Sequence, residues 1–193
     1  MRGWIYFALY FGLSVICTLA LVKINPEVVI ARNKTNWQET KPYDKVLVPL
    51  YAVLEFIGIY IAAGLCVRFN LLTSTPVFYS GLVLIVILGL LAVLPFRDNR
   101  HFEATMRIQS DRQHRVCDQG TYAIVRHPGY SITILGAFSI AMVFGVLAFV
   151  AAIAIAVVLI IRTAYEDKTL QAELSGYKEY TKKVRYRLLP FVW

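Results

Sequence analysis

Residues 131–161 read SITILGAFSIAMVFGVLAFVAAIAIAVVLII, a run of 31 positions without one charged side chain. As a single α-helix this run would extend about 46 Å at about 1.5 Å per residue. A bilayer's hydrocarbon core is about 30 Å thick. Either one steeply tilted helix lies here, or two shorter helices turn near Gly145. Three further apolar runs precede it: Trp4 to Val22, Val46 to Cys66 with Glu55 as its one charge, and Val77 to Phe96. The first follows a single Arg and has no small-x-small cleavage pattern, so an anchor is expected rather than a leader. Across all 193 residues, 58% are hydrophobic and 17% charged, where a soluble domain carries about 25% charge. A soluble globular domain and a disordered chain are both excluded, and a polytopic membrane protein remains.

Charge decides between one last helix and two. Lys and Arg total 20 against 12 acids, a net charge of +8. One precedes the first run, five lie between the first and second, and Arg68 alone separates the second from the third. Six lie between the third and fourth, and seven follow. A hairpin at Gly145 puts all three rich segments on one side, as the positive-inside rule requires; a single helix would strand the tail on the other. The expected fold is therefore all-α and integral to the membrane. Five spans are expected, at about 4–22, 46–66, 77–96, 130–144 and 147–163, the last two a short helical hairpin. Residues 1–193 are expected to form one domain, with the N-terminus outside and the C-terminus cytoplasmic. The same bias explains the net charge without nucleic acid as a partner. Cys17, Cys66 and Cys117 form no C-x-x-C, so neither a disulfide framework nor a metal site is indicated. No two glycines stand two apart, which excludes G-x-G-x-x-G.

Polar chemistry concentrates in the middle loop, 97–126, and in the tail. The densest stretch contains His114-Arg115-Val116-Cys117, Gly120, Tyr122 and Arg126-His127-Pro128-Gly129-Tyr130. Pro is favoured at the first position of a helix, and a helix N-terminus presents free N–H groups to an anion. Plain headgroup anchoring by Arg126 and His127 is the competing reading. Arg162 and Glu166 are four apart and share one helix face. They read as an ion pair at the membrane border, or as a cationic grip beside an acidic one. Helix is expected after Pro26, and in the tail through Leu170, Leu174, Tyr177 and Thr181, weakened by Gly176. Glu55 is costly inside a span and suggests function, or a protonated acid bonded within the bundle. His101 reads as a solvated residue. Trp4, Tyr43, Tyr79 and Trp193 read as interfacial belt residues.

Taken together, Gln109, His114, Val116, Gly120, Tyr122, Arg126-His127-Pro128-x-Tyr130, Arg162-x-x-x-Glu166-Asp167, Gly176-Tyr177, Tyr180, Arg187 and Pro190 resemble the isoprenylcysteine carboxyl methyltransferase family. The same signature is similar to the related phospholipid N-methyltransferases. Asn25-Pro26-Glu27 and Lys41-Pro42-Tyr43-Asp44-Lys45 look like prokaryotic members, which implies a prokaryotic cytoplasmic membrane. Two positions depart from the pattern: the usual Glu-Glu is Glu166-Asp167, and the small residue after His-Pro-x-Tyr-x is Ile132.

The resemblance implies a membrane enzyme that uses S-adenosylmethionine, releases S-adenosylhomocysteine and needs no metal. Its cofactor site would be built by segments 107–130 and 162–193. Carried over, Gln109, His114, Arg115, Val116, Cys117, Gly120, Tyr122, His127, Pro128, Gly129, Tyr130, Glu166, Tyr177 and Tyr180 would bind the cofactor. Arg126, Arg162 and Glu166 would be catalytic. Arg162, Glu55 and Arg187 would meet a lipophilic substrate entering from the bilayer. Carboxyl O-methylation is expected ahead of phospholipid N-methylation, because the Arg162-to-Glu166 spacing and the Tyr177, Tyr180, Arg187 and Pro190 tail resemble the carboxyl branch more closely; an amine acceptor would need Glu166 or His127 as a base. A non-catalytic membrane scaffold is the alternative from another class. A transporter fits poorly, for want of inverted repeats.

Overall fold

In the computed structural model, which describes residues 2–33 and 36–193, the chain is helical, with no strand among those residues. Lys34, one of the charges counted in the first loop, lies outside the described residues. Helix α1 spans Arg2–Ile24, and Asn25 leads directly into α2, Pro26–Asn33, the short helix expected after Pro26. Helix α3, Asp44–Val53, passes through a π-helical turn, Leu54–Gly58, into α4, Ile59–Arg68, making one rod Asp44–Arg68. Helices α5, Thr75–Leu91, and α6, Val93–Asp98, follow each other as a second rod. After the long loop come α7, Pro128–Phe144, α8, Val146–Glu173, and α9, Tyr177–Lys183.

Four helical segments are long and apolar enough to cross a membrane, and α7 adds a shorter apolar helix of 17 residues. The chain is an integral membrane protein. A hairpin replaces the single long helix because Gly145 adopts φ +131 between α7 and α8. A side chain there would also collide with the Leu71 carbonyl, so both the angle and the space call for glycine. The second arm is not short. Helix α8 has 28 residues, about 42 Å, and runs on past its apolar stretch to carry Arg162, Glu166 and Asp167. The expected tail helix is thus partly the end of this span, and it breaks where Gly176 takes φ +82 before α9.

Small residues let the inner helices approach, as packing within lipid requires. Ala137 and Ala141 of α7 and Ala148 and Ala152 of α8 are fully buried in one apolar cluster with Ile59, Ile85 and Ile155. A Cβ on Gly81 of α5 would stand 2.9 Å from the Ser139 carbonyl of α7. By contrast α1 buries only Tyr6, whose hydroxyl meets that of Tyr60 at 2.8 Å. Trp4 and Tyr79 are exposed, as belt residues should be. Tyr43 instead stacks on Tyr165 at 5.1 Å. Trp193 is used within the fold, its ring 4.6 Å from the Arg187 guanidinium.

Candidate active site

The loop 97–127 folds over the projecting end of α8, and the tail closes it from the other side. The floor is a clamp. Arg162 donates from Nε to Asp44 Oδ1 at 2.7 Å and from Nη2 to Asp44 Oδ2 at 2.8 Å, with a further bond to the Ala104 carbonyl. Asp44 is fully buried and also accepts from the Met106 N–H. One carboxylate therefore ties the start of α3, the loop and α8 together. Nothing local in the sequence marks Asp44 for this task, because Arg162 stands 118 residues away.

A second clasp forms one residue beyond Glu166. Asp167 is completely buried and accepts from Arg126 Nε at 2.8 Å and Nη2 at 3.0 Å. Gln171 Nε2 at 2.9 Å, Tyr177 Oη at 3.1 Å and Arg187 Nε at 3.1 Å donate to the same carboxylate. Arg126 Nη1 donates to the Val184 and Arg185 carbonyls. Its guanidinium thus holds the tail to the loop rather than standing free as a catalytic cation. The tail also covers the start of α7: the N–H groups of Arg126 and His127 donate to the carbonyls of Tyr186 and Arg187, both at 2.9 Å. These donors are closed to the anion that the His-Pro junction suggested.

Between the two clasps lies a pocket. Two acids line it. Glu103 is held by Arg107 Nε and Nη2, both at 2.9 Å, while Glu166 accepts from the Tyr130 hydroxyl at 2.5 Å and lies 3.7 Å from His127 Nδ1. The Arg162 guanidinium covers the Tyr130 ring at 5.0 Å, and the His127 ring stacks parallel to that ring at 5.7 Å. Met106, Leu170, Leu174, Tyr177 and Tyr180 supply an apolar wall. The Tyr180 hydroxyl donates to the Tyr122 carbonyl, joining tail to loop.

The opposite wall is a polar lattice. Gln109 donates to the His101 carbonyl at 2.7 Å, and its Oε1 lies 3.2 Å from His101 Nδ1. Arg115 N–H donates to His101 Nε2, and Gln109 N–H to His114 Nδ1. Both rings therefore accept hydrogen bonds in their neutral forms. Burial, with His101, Arg107 and Arg112 nearby, pushes His114 down to about 4, and burial also lowers His101. His101 is thus a buried wall residue, not a solvated one.

Of the residues carried over by resemblance, Gln109, His114, Arg115, Val116, Cys117, Tyr122, Arg126, His127, Gly129, Tyr130, Arg162, Glu166, Tyr177 and Tyr180 all border this pocket. Four others do not. Gly120 has φ +58 and packs on Asp98, whose carboxylate receives both the N–H and the hydroxyl of Thr121, so its role is in shaping the loop. Pro128 starts α7. Arg187 belongs to the Asp167 clasp and an outer cleft. Glu55 lines a separate cavity.

Residues 81–172 match the isoprenylcysteine carboxyl methyltransferase family. That segment, from the middle of α5 to the end of α8, is similar to this family and holds most of the pocket wall. No curated protein matches the chain.

Proposed function

We propose, from that family as premise, that the pocket binds S-adenosylmethionine and that the protein transfers its methyl group to a lipophilic acid held at the membrane border. The observation that carries this reading is the position of Glu166: a carboxylate aimed by Tyr130, inside a pocket walled by loop and tail, four residues from a buried Arg. The donor set fits the group. Glu166 offers a negative charge to a sulfonium, the Leu170 and Leu174 wall suits an adenine ring, and the polar lattice at Gln109 and His114 suits its ribose and amino-acid parts.

When bound, S-adenosylmethionine supplies an electrophilic methyl carbon to an in-line nucleophile. The protein's task is then positioning and the exclusion of water. Asp44 takes Nε and Nη2 of Arg162, leaving Nη1 without a hydrogen-bond partner among the described residues. That nitrogen is available to orient a carboxylate. No base is needed, since a carboxylate already carries its nucleophilic lone pair. The Asp167 clasp keeps tail and loop closed over the pocket. The clamp on Arg162 also favours a second reading, an amine acceptor in a phospholipid headgroup, for which Glu166 would take the proton. The basic loop and tail and both clasps gather at one end of the helices, and the charge bias makes that end cytoplasmic.

Calorimetric titration of the purified protein in nanodiscs with S-adenosylmethionine tests this. Saturable binding is expected, weakened at least tenfold in Glu166→Ala. A folded wild type that binds no S-adenosylmethionine would overturn the reading in favour of a scaffold. Radiolabelled methyl recovered in a base-labile ester supports the carboxyl acceptor, and recovery in a base-stable amine overturns it.

A further inference from the structure

A second cavity, of about 310 Å³, lies among α1, the π turn, α5 and α7. Leu13, Ile85, Leu88 and Ile132 give it an apolar lining. Its small polar groups are already used within the helices. Ser14 donates to the Tyr10 carbonyl, Cys17 to Gly89, Thr133 to Gly129 and Ser139 to Gly136. Glu55 differs. Its Oε2 is the one buried side-chain polar atom without a hydrogen-bond partner among the described residues. An unpartnered carboxyl oxygen at this depth is costly. The π turn that carries it is a feature often found where a helix serves a site.

The cavity adjoins the active site through α7. Tyr130 borders the pocket, while Ile132, Thr133 and Gly136, the next residues along the same helix, border the cavity. At Gly136 an added Cβ would meet nothing within 4 Å, so the lining is open there. Eleven residues separate Asp44, at the floor of the active site, from Glu55, or about 16 Å of helix. A chain anchored by its acid at Arg162 would pass Glu55 part-way along its length.

We infer that Glu55 selects the acceptor: the cavity holds the acceptor's chain, and the Glu55 carboxyl receives a hydrogen bond from a hydroxyl or amide N–H borne along that chain. The inference rests on the methyltransferase reading for what the chain belongs to. It makes the preferred substrate class a lipid acid with an internal hydrogen-bond donor rather than a bare hydrocarbon tail. A hydroxyl completes an acceptor that the fold leaves open, whereas a hydrocarbon chain leaves it unpaired.

Native mass spectrometry of the purified protein with stearic acid and with 12-hydroxystearic acid tests this. The wild type should retain the hydroxy acid about tenfold more tightly, the effect of one added hydrogen bond. Glu55→Leu should bind both acids alike, and Glu55→Gln, which keeps an acceptor oxygen, should retain part of the preference. Removing an unpartnered carboxyl does not endanger folding. Gly136→Leu, which fills the lining, should weaken both acids together. Equal binding by the wild type, or a preference that survives Glu55→Leu, overturns the inference. S-adenosylmethionine binding, measured on the same samples, separates the two failures: its loss in the wild type removes the methyltransferase reading and leaves the chain preference to be read on its own.

Discussion

Neighbouring acids do opposite work here. Glu166 faces the pocket with a hydroxyl as its nearest donor, while Asp167 is enclosed by two Arg, a Gln and a Tyr. Removing Asp167 would leave the buried guanidinium of Arg126 uncompensated. Breaking a buried pair on one side costs about 3–5 kcal/mol, so Asp167→Ala should lower the thermal midpoint in detergent sharply. Glu166→Ala should leave it nearly unchanged and lose cofactor binding instead. Equal destabilisation by the two would refute this division. The spacing of Arg162 and Glu166 was legible in the sequence, since four residues make one helix turn. Asp44 was not: it stands 118 residues from Arg162, and nothing local marks it as a partner. His101 was illegible for the same kind of reason, since its neighbours are loop backbone groups that only the folded loop brings together.

At the scale of elements, the loop 97–127 has its own pH dependence. His114 is neutral in the fold and pushed down to about 4, below the usual value near 6.5. Between those values the unfolded loop binds more protons than the folded one, so stability rises with pH there and is lost as pH falls from about 6.5 towards about 4. Protonation would cost His114 its bond from Gln109 N–H and add a charge near Arg107 and Arg112. Hydrogen exchange of residues 99–117 should therefore quicken over that window, and His114→Gln, which still offers an acceptor, should flatten the response. An unchanged pH profile in the variant would place the sensitivity elsewhere. The hairpin was legible because 31 apolar residues exceed one bilayer crossing and Gly145 stood near the middle. The π turn at Leu54–Gly58 left no mark on the apolar pattern, so only the unexplained Glu55 hinted at it. Gly145→Val should disrupt the hairpin through both its positive φ and the Leu71 carbonyl, with loss of folded yield as the measure.

For the molecule as a whole, the placement of charge and the placement of chemistry are one argument. Arg162 and Asp167 stand beyond the apolar part of α8, and the loop and tail fold onto that projection through the Asp44 and Asp167 clasps. Under the proposed function, a polar cofactor would reach the pocket from water while an apolar chain would arrive from lipid, where each buried methylene avoids about 0.8 kcal/mol of exposure. This arrangement needs an odd number of crossings between α1 and α9. With five, the N-terminus and the tail face opposite sides; were α7 and α8 to cross as one helix, the two termini would share a side. A protease-cleavable tag on each terminus, probed in sealed vesicles of known orientation, distinguishes these. The C-terminal tag should be cut only in inside-out vesicles and the N-terminal tag only in right-side-out ones. Cutting of both tags in one orientation would refute the five-span topology, and a C-terminal tag cut from the outside would put the active site on the face away from the cytoplasm, where the charge bias argues it does not lie.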